Sequence, residues 1–174
     1  MNRPPFKRER SAPFPSGIPR ENPRLSRLLE ATIREVLAVF RMVLDPAVLH
    51  SAPGGYYSRA DLTVISGFTG DVQGVLCMHS STDLAFEIAS KNMGREIQEF
   101  DAYVRELLEE IGGAVASHFR AKLQNMGCVC SFSPPAVISG SEYHFHSTPR
   151  SQYVECAVTA GGIPIWMTLG LRRP

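Results

Sequence analysis

The chain has 174 residues and a formal net charge of +1, with 44% hydrophobic and 20% charged residues. That length suits about one domain with a sizeable core, and the balanced charge excludes a strongly basic nucleic-acid binder. The charge is uneven, however: residues 1–24 carry six Lys/Arg against two Glu, and the remainder carries 12 Lys/Arg against 15 Asp/Glu.

Residues 1–24 hold six of the 13 prolines and no periodic apolar pattern. Such a segment buries too little surface to offset its ordering entropy, which predicts a disordered basic tail before a domain at 25–174. From Leu25 the apolar residues Leu25, Leu28, Leu29, Ile33, Val36, Leu37, Phe40, Val43 and Leu44 step by three and four. This predicts a helix ending near Asp45-Pro46, followed by a loop over 46–60. Leu62 to Phe68 and Val72 to His79 read as two strands of a hairpin turning at Thr69-Gly70-Asp71. Oxygens from Ser80 to Asp83 can cap a helix carrying Leu84, Ala85, Ile88, Ala89 and Met93, which Gly94 closes.

Asp101 opens the longest helix, to about Met126, with Gly127 as its stop. Its apolar stripe is Val104, Leu107, Leu108, Ile111, Val115, Phe119 and Leu123. Short strands follow at Val129 to Phe132 and Ala136 to Ile138, then strands at Glu142 to His146, Gln152 to Ala160 and Ile163 to Leu171. The pattern predicts an α+β domain: an antiparallel sheet, read as ending in a meander, packed with two long helices.

The uncharged run from Cys156 to Leu171 is shorter than the roughly 20 residues a bilayer needs. The N-terminus lacks the apolar core of a secretory signal. Cys77, Cys128, Cys130 and Cys156 read as free thiols, mostly in the core, of a cytoplasmic protein. Cys128-Val129-Cys130 resembles half of a zinc site but has no second pair in sequence. His144 and His146 share one side of a predicted strand, yet no third ligand has an obvious claim. No metal and no cofactor are expected.

A helical wheel of the 101–126 segment sets Glu109, Gly112, Gly113, Ala116 and Arg120 roughly opposite the apolar stripe. This face is an acid, then very small residues, then a base. Two glycines inside a helix cost about 1 kcal/mol each relative to alanine, so they call for a packing or docking reason.

The sequence here resembles the CheC/CheX chemotaxis phosphatases. The matching pieces are the helix from Ala31 to Leu44 and the hairpin and helix containing Gly70, Gly74, Ala85, Ile88, Ala89, Met93 and Gly94. They continue with the helix "LEEIGGAVASHFRAKL" and with Ser133, Pro135, Val137, Ile138 and Gly140 in "SPPAVISG". The single copy of the long helix suits a CheX-like arrangement. The resemblance implies a CheC/CheX-like fold and removal of the phosphoryl group from the aspartyl-phosphate of a CheY-like receiver domain. It also implies an E-x-x-N signature on the long helix. An acyl phosphate is labile, so the Asn amide mainly orients the attacking water, and the Glu pairs with a lysine beside the phosphorylation site.

Carried over, Glu109 takes the Glu position and Gly112 the Asn position. Glycine has no amide, which implies that hydrolysis is weakened or lost. The registers Glu106 to Glu109 and Glu110 to Gly113 also lack an Asn. Ser117 and His118 are candidates to replace it; Asn92, Gln98 and Asn125 sit at no matching position. Gly113, Ala116 and Arg120, with Glu109, form the expected partner-binding face. The resemblance further implies a homodimer, with the sheet continuing into a second copy. The rival expectation is a non-catalytic interaction module of a signalling complex.

Overall fold

A computed structural model describes residues 23–39, 61–140, 151–160 and 163–172. The expectations for residues 1–22, for the loop over 46–60, and for His144 and His146 lie outside the described residues. In chain order the elements are α1 (Pro23–Val39), β1 (Leu62–Gly70), β2 (Gln73–Ser80), α2 (Thr82–Met93) and α3 (Ala102–Asn125). They are followed by β3 (Cys130–Phe132), β4 (Ala136–Ser139), β5 (Ser151–Ala160) and β6 (Ile163–Arg172). Pro23 stands in the first turn of α1, where its missing N–H leaves no helical bond unmade.

The helix ends follow local chemistry. Ser81 caps α2 through its hydroxyl, which accepts from Leu84 N. Gly94 ends α2 at φ 68°, a left-handed conformation that favours glycine, and its N–H donates to Ser90 O at 2.9 Å. Asp101 Oδ1 accepts from Val104 N at 3.0 Å and starts α3.

The hairpin β1–β2 pairs Leu62 with Ser80 and Phe68 with Gly74. Among the described residues the later strands do not form a meander of their own, and the strand expected at Glu142 to His146 lies outside them. β3 and β4 both pair antiparallel with the outer edge of β1, β6 pairs with β2, and β5 pairs with β6. The sheet order is therefore β3-β1-β2-β6-β5, with β4 beside β3 on β1. The hairpin is the centre of the sheet, with the C-terminal strands paired to it on both sides. Local periodicity identifies strands but carries no information on such distant partners, which is why the sequence pattern suggested a meander.

One face of the sheet carries the main core. Val64 and Phe68 of β1, Leu76 and Met78 of β2, and Met167 and Leu169 of β6 are buried there. Leu29, Ile33 and Val36 of α1, Leu84 and Ile88 of α2, and the whole predicted stripe of α3 close over them. Alternate residues of the same strands point to the other side, as the period of two requires. There Thr63, His79 and Thr168 are buried together: Thr63 Oγ1 lies 2.7 Å from His79 Nδ1 and Thr168 Oγ1 3.3 Å from Nε2. Burial pushes the His79 imidazole down to about 4, so it is neutral at physiological pH. Among the described residues no helix is long and apolar enough to cross a membrane.

Candidate functional site

The small residues of α3 fall on two different surfaces. Gly112 and Ala116 are buried. A Cβ on Gly112 would run into Val64 Cγ1 of β1 and come within 3.2 Å of Pro135 Cβ. The helix backbone is thus laid directly on the sheet at this point, and any side chain would force it away. Gly113 differs: the nearest heavy atom to an added Cβ is Pro135 Cγ at 3.9 Å, an ordinary contact. Gly113 is half-buried at the rim of the helix, beside the Pro134-Pro135 segment.

This corrects the helical wheel. Gly112 lies only about 60° from the centre of the apolar stripe at 100° per residue, on its flank and not opposite it. Ala116, one turn on, follows it inward. Glu109 is half-buried and Arg120 exposed. The five residues expected to share one open face are divided, with two in the packing seam and three outside it. A stricter wheel would have found the inward turn of Gly112; the contact with Val64 and Pro135 depends on tertiary structure and has no local signal.

The outward line of α3 runs instead through Glu106, Glu110, Gly113 and Ser117, all exposed except the half-buried Gly113. Ser117 is therefore on the open side. His118 turns toward α1, where its Nδ1 lies 3.5 Å from Glu35 Oε2, while Lys122 Nζ donates to Glu35 Oε1 at 2.8 Å. The hydrogen bond from Lys122 holds the Glu35 carboxyl below its ordinary value. That cluster fastens α1 to α3 and leaves His118 directed away from the outward line.

Next to Gly113 the chain between β3 and β4 is fixed firmly. Gly67 N donates to Ser133 Oγ at 3.0 Å, and Ser133 N donates to Gly67 O at 2.8 Å. Pro135 then rests on both Gly112 and Gly113. The matched "SPPAVISG" segment thus forms a stiff border to the open face of α3. Among the described residues no group of three or more His, Cys, Asp or Glu side chains is placed to hold a metal ion.

The family model described as Chemotaxis phosphatase CheX matches residues 62–159, more than half of the chain. The chain belongs to the CheX family. It is 26% identical over 117 residues to the CheY-P phosphatase CheX of Thermotoga maritima, covering 67% of this chain and 73% of that one. The fold matches the chemotaxis protein CheX of Vibrio vulnificus with a TM-score of 0.75 at 16% identity, over 86% of this chain and 99% of that one. It also matches the CheX–CheY–BeF3–Mg complex of Borrelia burgdorferi with a TM-score of 0.62 at 24% identity, over 83% and 93% of the two chains. The expected α+β, CheC/CheX-like architecture is therefore present, and the protein is a CheX-like chemotaxis protein.

Proposed function

We propose that this CheX-like protein binds the phosphorylated receiver domain of a CheY-like response regulator through the outward face of α3, and that its own hydrolytic step is weakened or lost. The register we assign is Glu110 and Gly113, one residue on from Glu109 and Gly112. The observation that carries it is steric: the position of Gly112 has no room for a side chain, whereas that of Gly113 has room and faces outward one turn after an exposed Glu. Residues at i and i+3 project side by side, so Glu110 can meet a cationic side chain beside the partner's phosphoryl group while Gly113 lets the partner approach closely. What the pair lacks is an amide. Without it no group at this turn holds the water in line with phosphorus, and the positional part of the rate enhancement is missing.

The Thermotoga relative is a CheY-P phosphatase by name, and a CheX of the same fold forms a complex with CheY. Both support a receiver domain as partner. Cytoplasmic location belongs to the same proposal, and so does a homodimer, since β5 stands at the end of the sheet among the described residues.

The test is phosphate release from a phosphorylated CheY-type receiver with and without this protein, alongside a direct binding measurement. Binding without acceleration is the expected result. Acceleration comparable to an E-x-x-N phosphatase would overturn the assigned loss of hydrolysis. Gly113→Asn is expected to raise the release rate while Gly112→Asn is not; the reverse outcome would restore the Glu109 register. Failure to bind any phosphorylated receiver would leave the non-catalytic module of a signalling complex as the better reading.

A further inference from the structure

The strand that edges β1 is interrupted beside the proposed docking face. Phe132 of β3 pairs with Phe68, and Ala136 of β4 pairs with Ile65. Between these pairs β1 has two residues, Ser66 and Gly67, while the edge strand has three, Ser133, Pro134 and Pro135. One surplus residue on one strand is a β-bulge. The edge strand is tied at both ends, so it cannot slip to absorb the surplus. Gly127 turns the chain out of α3 at φ 81°. Val129 N then donates to Asp71 Oδ2 at 2.7 Å, and Val129 O accepts from Asp71 N at 3.0 Å. At the other end Gly140 N donates to Asp61 O at 2.9 Å. In the middle Ser133 serves both polar groups of Gly67, its hydroxyl standing in for the carbonyl that a continuous ladder would offer.

The bulge re-aims the chain. Residues three apart in an unbroken strand point to opposite sides of the sheet, yet Phe132 and Pro135 both face α3. The Phe132 ring lies 4.8 Å from that of Phe68 and 6.4 Å from that of Phe119, and Pro135 rests on Gly112 and Gly113. Blunting a sheet edge explains prolines there, but not why one of them is turned onto the two glycines. An atom placed where a Cβ would sit on Gly113 is 3.9 Å from Pro135 Cγ. A partner group that enters the Gly113 opening therefore touches Pro135. Pro134, next to it in the chain, is exposed. Two proline rings held by a clamped backbone lose little conformational entropy when a partner meets them.

We propose that the bulge at 133–135 is the second wall of the docking site on α3. The receiver domain seats against Pro134 and Pro135 while it meets Glu110 and Gly113, and the Ser133 hydroxyl is the positioning group that holds the wall in place. This inference rests on the docking face proposed above and adds to it a contact of a different kind. Glu110 offers the partner a charge; the wall offers apolar area and a fixed shape beside the phosphoryl group.

The experiment measures the Kd of a beryllofluoride-activated CheY-type receiver for the full-length protein and its variants, with the urea midpoint of each taken separately. Pro135→Ala should weaken binding about tenfold and Pro134→Ser about threefold, as truncated interface contacts do. Pro134→Ser keeps the contact of Pro135 with the helix, so it stays informative if Pro135→Ala does not fold. Ser133→Ala should weaken binding about fivefold, the equivalent of one ordinary hydrogen bond, and Ser133→Thr, which keeps the hydroxyl, should restore it. A merely structural hydroxyl would move the urea midpoint and leave the Kd of the folded protein alone. Parent-like affinity in both Ser133→Ala and Pro134→Ser, with binding weakened by Glu110→Gln, would overturn this inference and leave the docking face on α3 standing. No binding by the parent protein would overturn that docking face and this inference with it.

Discussion

Gly112 and Gly113 are neighbours in one helix and have opposite jobs. Gly112 is a contact: its bare Cα lets α3 settle on Val64 and against Pro135. Gly113 is an opening: it faces the rim, and only Pro135 comes near it. Identical residues one position apart are separated by a rotation of about 100°, enough to carry a group from a packing seam to a surface. A signature read along the sequence is therefore only as good as its angular register, and a residue's freedom to accept a side chain is a direct measure of that register.

The contrast is broken most severely at Gly112. Gly112→Asn puts a branched amide where a Cβ already collides, and strands polar atoms in an apolar seam. A loss of at least about 3 kcal/mol is expected, read as the shift of the urea midpoint, and poor solubility would agree with it. An unfolding midpoint equal to the parent's would mean the seam is looser than described.

A pH series isolates the opposite side of the sheet, so that changes there are not mistaken for changes at the helix seam. His79 takes up a proton near 6.5 when unfolded but only near 4 when folded. The unfolded state therefore binds more protons between these values. Stability from this group is complete above about pH 6.5, falls as pH drops toward 4, and is fully lost below it, a loss on the order of 3 kcal/mol. Urea unfolding from pH 7 to 4 checks this, and His79→Gln should flatten the slope.

Gly113→Ala sharpens the comparison by changing its sign. With only an ordinary contact to Pro135, the added methyl restores helix propensity and should stabilise by up to about 1 kcal/mol. Gly112→Ala in the same assay should destabilise. The smallest effect is expected at the surface clasp between α1 and α3. Glu35→Gln removes an ion pair between an exposed carboxylate and the half-buried Lys122, and should cost about 1 kcal/mol or less, diminishing further in high salt.

The legible parts of the molecule are those governed by near neighbours in sequence. Ser81, Gly94 and Asp101 announce the helix ends because capping acts within one turn, and the stripe from Val104 to Leu123 is buried throughout because α3 has a single core side. The hairpin is legible because seven residue pairs flank one short turn. The pairing of β3 and β4 with β1 was not, since those partners lie between 60 and 77 residues apart and nothing local selects them. At the candidate site, the sequence marked the correct helix and the unusual glycines. It could not distinguish the glycine that touches Val64 from the one that does not, because that distinction is made by a strand forty-eight residues earlier in the chain.

The two bonds between Asp71 and Val129 have a mechanical consequence. They rivet the tip of the hairpin to the exit of the long helix at two points, so neither can lift without the other. Exchange of the two amide protons with deuterium should then proceed at matched rates, as one cooperative opening. Replacing Asp71 with Ala should release both amides together and let the helix exit fray while its middle turns stay shut.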